Sequence, residues 1–216
     1  MRPGTFVTPG KPALSLGALQ SVGGHLEITG EPATLLGFKT TSVLTQLTTL
    51  ALPALMHAGG LTVKRTGVTH LALPAFTSGG DVEISRNDAL LAVSLPSLTT
   101  LTGSLDVDWN DALASLDVPA LVQVDGDLSV TRADLPELLF PSLEQVGQDL
   151  DVSWCPSLPA LGLPVLTEAA ELKVRHNDSL VALFAPLVSD LYGLDIQANP
   201  ILTSVDLSSL THIVDA

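Results

Sequence analysis

The chain has 216 residues, 46% hydrophobic and 15% charged, with 9 Lys and Arg against 23 Asp and Glu and a net charge of -14. Apolar residues spread evenly along the chain argue for a long regular core and against disorder, and the negative charge repels phosphate backbones and so argues against a nucleic-acid partner. No stretch reaches the roughly 18 consecutive apolar residues of a membrane-spanning helix, and the lone Cys155 cannot close an internal disulfide, which leaves the compartment open.

The first residues, Met1 to Val7, run into Pro and Gly rather than an apolar stretch, so no secretory signal is expected. Residues 1–18 match nothing downstream and read as a cap or lead-in to a single repeat domain over 19–216. From Leu26-x-Ile28 onward an alternating apolar pair recurs at Leu61-x-Val63, Val82-x-Ile84, Leu105-x-Val107, Leu128-x-Val130, Leu150-x-Val152, Leu172-x-Val174 and Leu194-x-Ile196. Each is a strand with one buried face. The first interval, Leu26 to Leu61, is 35 residues rather than about 22, which places an irregular coil near 29–52. A second column, Pro-x-Leu or a near variant, begins at Pro53, Pro74, Pro96, Pro119, Pro141, Pro164 and Pro186, spaced by 21 to 23 residues, and Ser208 continues it. The chain stops at Ile213 to Ala216, where another first strand would begin, so that end is expected to be uncapped.

Within the unit Gly103 to Val124 the pattern gives three short extended segments: Leu105 and Val107 face inward from the first, Leu116 and Val118 from the second, Leu121 and Val124 from the third, and Leu113 plugs a bend. No unit buries such a set alone, so the units must stack, each covering the next. The expectation is an all-β, right-handed parallel β-solenoid of about 8–9 coils of about 22 residues, nearly free of helix. Gly24, Gly59, Gly80, Gly103 and Gly126 precede the first strands, where the reading asks for positive φ at a corner.

The segments Leu105-x-Val107-x-x-Asn110 and Leu172-x-Val174-x-x-Asn177, followed by Asn-Asp-x-Leu and Pro-x-Leu, resemble leucine-rich repeats and more closely their receptor L-domain variant, over roughly residues 19–213. The resemblance implies a right-handed solenoid that uses its flat faces to recognise a protein or glycan, at a cell surface or outside the cell. The expected function is a non-catalytic recognition or scaffolding module without a cofactor, whose open ends invite end-to-end self-association. The competing class is a carbohydrate-active β-helix enzyme using Asp/Glu pairs, whose His-Gly and Arg-x-Lys signatures this chain lacks.

Four groups of residues invite a closer reading. Asn87, Asn110, Cys155, Asn177 and Asn199 share a column broken by Ala133 and are expected to form a buried ladder that satisfies backbone groups. That reading makes Cys155 structural and leaves the sequon at Asn177 unused, against the alternative of a Cys155–His176 pair. Asp127, Asp149 and Glu171 stack in one column, as a solvated face or, in a sharper reading, a Ca²⁺ site of hard oxygen ligands. The five histidines show no metal-ligand spacing. Finally, Arg65, Arg86, Trp109, Arg132, Trp154, His176 and Ala198 stand two positions after the inward Val or Ile. If these project outward they lie within cation–π range of one another, and Arg86, Trp109, Arg132, Trp154 and His176 become the candidate binding surface.

Overall fold

The structure is a computed structural model that describes residues 13–30, 34–35, 38–39 and 47–213. It contains strands, turns and no helix among the described residues. The long strands Ser21–Thr29, His57–Lys64, Ser78–Ser85, Leu105–Asn110, Leu128–Ala133, Leu150–Ser153, Glu171–Arg175 and Gly193–Gln197 pair in parallel, each with the next, as the main part of an eleven-stranded sheet. Leu105, Val107 and their counterparts pair column on column, Leu105 with Val82 and Leu128, Val107 with Ile84 and Val130. The chain is therefore a β-solenoid of about seven turns. The sequence reading counted eight or nine units; of the irregular coil it placed near 29–52, most of the stretch 31–46 lies outside the described residues, as does most of the lead-in 1–18.

A second wall carries the middle segments. Ala13–Ser15, Thr49–Ala51, His70–Ala72, Ala92–Ser94 and Ser115–Asp117 form one parallel sheet, and Leu138–Leu139, Ala160–Gly162, Ala182–Phe184 and Ser204–Asp206 another. The interruption falls where Pro136, with no N–H, follows the coil in which Ala114 donates to the Leu91 carbonyl. The third segments, Thr100–Leu101, Gln123–Val124 and Gln145–Val146, join the long sheet.

Two β-turns fold each coil. At the first, the amide four residues into the turn returns to the Asn or Cys carbonyl, as Leu90 does to Asn87, Leu113 to Asn110 and Leu158 to Cys155. At the second, Leu55, Phe76, Leu98 and Leu121 donate back to Leu52, Leu73, Leu95 and Val118. Pro sits at the second position of that turn, which its fixed φ suits and where its missing donor is not needed. One continuous core runs through all coils, with Leu105, Val107, Leu113, Leu121 and Val124 fully buried. At the last coil the same columns open: Val205 is 46% exposed where its partner Leu183 is 1% exposed.

The Asn ladder is present, buried at Asn87, Asn110, Cys155 and Asn177 and half-buried at Asn199. The Thr66 and Asn87 amides donate to Oδ1 of Asn87 and Asn110, both at 3.0 Å, and the Cys155 and Asn177 amides to Oδ1 of Asn177 and Asn199 at 2.9 and 3.0 Å. Each Nδ2 returns to an inward residue's carbonyl, as Asn87 to Val63 and Asn177 to Val152. Cys155 puts sulfur in the amide's place: its Sγ lies 3.7 Å from the Val130 carbonyl and 3.6 Å from the Ser153 carbonyl, to either of which it can donate, and the Ala133 amide bonds to it. Burial pushes its thiol up to about 11, so it stays protonated and is no nucleophile near neutrality. Asn177, wholly buried, is no glycan acceptor.

Asn at 155 restores both bonds of the ladder, so Cys155→Asn should change the unfolding free energy by less than about 1 kcal/mol, whereas Cys155→Leu should cost about 1–3 kcal/mol by orphaning the Val130 carbonyl. Chemical denaturation of the three proteins measures this, and equal stability of Asn and Leu variants would remove the ladder's role.

Candidate functional site

Seven of the eight long strands, from His57–Lys64 onward, close at a residue in the left-handed region. Arg65, Arg86, Trp109, Arg132, Trp154, His176 and Ala198 all have φ between 51° and 60°. This corrects the expectation that the corner glycines take that role. None of Gly24, Gly59, Gly80, Gly103 and Gly126 is left-handed; from Gly59 onward they allow close approach, since a Cβ on Gly80 would lie 2.0 Å from the Gly59 carbonyl oxygen and one on Gly103 2.2 Å from an Asp81 carboxylate oxygen, whereas one on Gly24 would meet nothing within 4 Å. The left-handed residue reverses the chain so that the next side chain, Asn or Cys, points into the core while its own points out.

Left-handed geometry costs a residue with a Cβ about 1–2 kcal/mol, and here the side chains recover part of that by stacking. The Arg132 guanidinium carbon lies 3.9 Å above the Trp109 ring and 5.3 Å from the Trp154 ring, and Arg86 covers the other side of Trp109 at 5.0 Å. The ring of His176 stacks on Trp154 with centroids 4.0 Å apart and planes 15° apart. The five candidate residues thus form one continuous pile across five coils. His176 is spent on Trp154, on the outer side of the backbone from buried Cys155. Trp109 and Trp154 remain 39% and 47% exposed, but what faces solvent is their edges, because their ring faces are covered.

Beside this ridge run the residues that follow the Asn column: Asp88, Asp111, Asp134, Pro156 and Asp178, all exposed. Between ridge and row lie two cavities. One, of about 490 Å³, is lined by Arg65, Arg86, Trp109, Asp88 and Asp111; the other, of about 300 Å³, by Asp111, Arg132, Asp134, Trp154, His176 and Asp178. This groove was not singled out from sequence, although the repeated Asn-Asp pair marks its acidic wall.

The carboxylates on the flat sheet face behave differently. Asp81 accepts the Ser104 amide, Ser104 Oγ accepts the Asp127 amide, and Asp127 accepts the Asp149 amide at 2.9 to 3.1 Å, a relay that ties coil to coil. Lys173 bridges Asp149 and Glu171 at 2.6 and 3.0 Å. In the column read as a Ca²⁺ site, one carboxylate therefore holds an amide and two share an ammonium. No group of three or more His, Cys, Asp or Glu among the described residues is arranged to hold a metal ion. Lys64 pairs with Glu83 and Arg175 with Asp151. Asp106 has no such cation within 4 Å among the described residues. Partial burial and the charges of Asp127, Glu83, Asp108 and Asp81 push its carboxyl up to about 6.

Among the described residues no helix is long and apolar enough to cross a membrane. No protein-family model, curated protein or solved structure matches the chain.

The raised carboxyl of Asp106 makes stability depend on pH. Its unfolded counterpart titrates near 3.8 and the folded group near 6, so folding takes up a proton in that window; the destabilisation is absent below it and complete above about pH 7. Asp106→Asn should therefore stabilise the protein near pH 7.5 by about 1 kcal/mol, the part left after solvent screening of a half-exposed group, and leave it unchanged near pH 3.5. Thermal melts at both pH values measure this, and a gain of equal size at both would contradict the assignment.

Proposed function

We propose that the chain is a non-catalytic recognition module, a right-handed solenoid akin to leucine-rich repeats and receptor L domains with its eight or nine units counted from the repeat columns, that binds a protein partner along its corner groove. The right-handed sense follows the general preference of parallel β-crossover connections. The observation that carries the functional reading is the ridge itself. Large residues held in left-handed geometry, in register over five coils, present indole edges and an acidic wall to solvent along one line.

A protein partner is favoured over a glycan because sugars dock on open aromatic faces, and here those faces are covered by Arg86, Arg132 and His176. What remains, an indole N–H at the edge and a row of carboxylates, suits the donors and cations of a polypeptide. A non-catalytic role is supported by the flat face, where Asp81 and Asp127 are spent on backbone amides of neighbouring coils and Lys173 joins Asp149 to Glu171. On the same reading, the last described coil, with Val205 and Ile213 nearly half exposed, is the end at which copies would associate.

Selection of a displayed random-peptide library on the native protein tests the proposal. Peptides that bind should be lost on Trp109→Ala/Trp154→Ala and largely kept on Trp109→Phe/Trp154→Phe, which preserves the pile. Ligands that bind all three proteins equally would contradict the groove as the site, and glycans captured from an array through these same tryptophans would contradict the protein reading.

A further inference from the structure

The corner groove sets two parallel lines of opposite character side by side. The ridge supplies Arg86, Arg132 and the ring of His176, and the row two residues further on supplies Asp88, Asp134 and Asp178 at the same three coils. The two lines do not satisfy each other. Arg86 and Arg132 lie over opposite faces of Trp109, which holds their guanidinium groups along the solenoid axis instead of across the groove. Neither has a carboxylate within 4 Å among the described residues, and the three aspartates have no cation within that distance.

Resting on the recognition reading above, we infer that the protein this groove receives is a second copy of the chain, laid alongside the first with the two solenoid axes parallel. Charge complementarity selects both the partner and its direction. A closed pair of identical chains is related by a two-fold axis, and for two facing surfaces that axis lies in the plane of contact. Set across the ridge, it would bring ridge to ridge and row to row, so that like charges face. Set along the solenoid, it brings the ridge of each copy over the row of the other.

The same axis fixes the register, because a rotation without translation leaves every coil opposite its own counterpart. Arg86 then meets the other copy's Asp88, Arg132 its Asp134, and the His176 ring its Asp178, each contact occurring twice. Where the row carries Pro156 in place of a carboxylate, the ridge residue that meets it is Trp154, and the Trp109 indole edge meets Asp111. No like charges face each other anywhere along this strip, since Arg65 meets Gly67 and Ala198 meets Pro200. The strip is six strand spacings long, about 29 Å, and two side chains wide, so it falls below the roughly 1,200 Å² of a standard interface and holds the pair weakly. With -14 on each copy, association needs an ionic strength of about 0.15 M or more, which screens the flat faces from each other.

Sedimentation equilibrium of the whole chain at concentrations up to about 1 mM should show a dimer that grows with concentration. Asp88→Lys/Asp134→Lys should weaken it at least tenfold, because each new cation faces an arginine of the other copy, and Arg86→Glu/Arg132→Glu should do the same by facing carboxylates with carboxylates. Mixed together, the two variants should associate at least tenfold more tightly than either alone, since every contact between them is then attractive. Thermal melts show whether both variants fold, and a second measurement needs neither. A nitroxide is placed on Ile201→Cys, exposed beside the last corner, while buried Cys155 stays unmodified, and this copy is mixed with an isotope-labelled chain. The label stands at a level two coils from Trp154 and four from Trp109, about 10 and 19 Å along the axis, so a parallel pair broadens the Trp154 indole signal of the labelled chain more than that of Trp109. A monomer throughout, no rescue on mixing folded variants, or stronger broadening of Trp109 would each overturn the inference. Library peptides that need Trp109 and Trp154, found beside a chain that stays monomeric, would leave recognition standing and remove only self-pairing.

Discussion

The left-handed residue at the end of each long strand is the constraint from which the rest of the molecule follows. Seven successive coils, from Arg65 to Ala198, place a residue with a Cβ there rather than glycine, which would sit without strain. That conformation turns Asn87, Asn110, Cys155 and Asn177 into the core, where they bond the backbone of adjacent coils, and turns Arg86, Trp109, Arg132, Trp154 and His176 out into a pile. One backbone feature thus produces a buried polar ladder on one side and an exposed stacked ridge on the other. The cost is local to each residue, while the compensation comes from neighbouring coils.

Exact stacking has an electrostatic consequence. Side chains in one column lie a strand spacing apart, so a repeat that uses Asp or Glu brings like charges together along the axis. The flat face manages this in two ways. Asp81 and Asp127 take amides as partners, and in the later coils Lys173 and Arg175 enter and pair with Asp149 and Asp151. Asp106 has neither remedy and is the group whose protonation is displaced. At the corner groove the carboxylates of Asp111 and Asp178 have no such partners among the described residues, which sets the groove apart from the face.

The repeat columns made the architecture readable: alternating Leu-x-Val fixed the long strands, and Pro-x-Leu marked the second turn. The Asn ladder was legible because buried backbone groups must be paired, and Cys155 fell into it by position. The site of positive φ was not legible. Glycines at the corners are the usual signal for it, but Gly80 and Gly103 answer to backbone crowding, while Arg and Trp in left-handed geometry carry no propensity that marks them. The spacing of Arg and Trp did disclose that they meet, but not that they cover each other's faces, which depends on how the side chains lie. Lys173 escaped the reading of the acidic column because it stands two positions after Glu171 and reaches back one coil to Asp149.

The claim that stacking offsets left-handed strain is tested most directly by placing glycine at two positions of the same column and measuring unfolding free energies. Ala198 has φ 55° and, as an alanine, no ring or guanidinium of its own to stack, whereas Arg132, at φ 51°, lies over Trp109 and near Trp154. Ala198→Gly should stabilise the protein by about 1 kcal/mol, by relieving strain with nothing lost. Arg132→Gly relieves the same strain but removes two cation–π contacts of about 0.5–1 kcal/mol each and uncovers indole surface. The account predicts that Arg132→Gly is less favourable than Ala198→Gly by at least about 1 kcal/mol; an equal gain at both positions would show that the ridge contributes nothing to holding the corner.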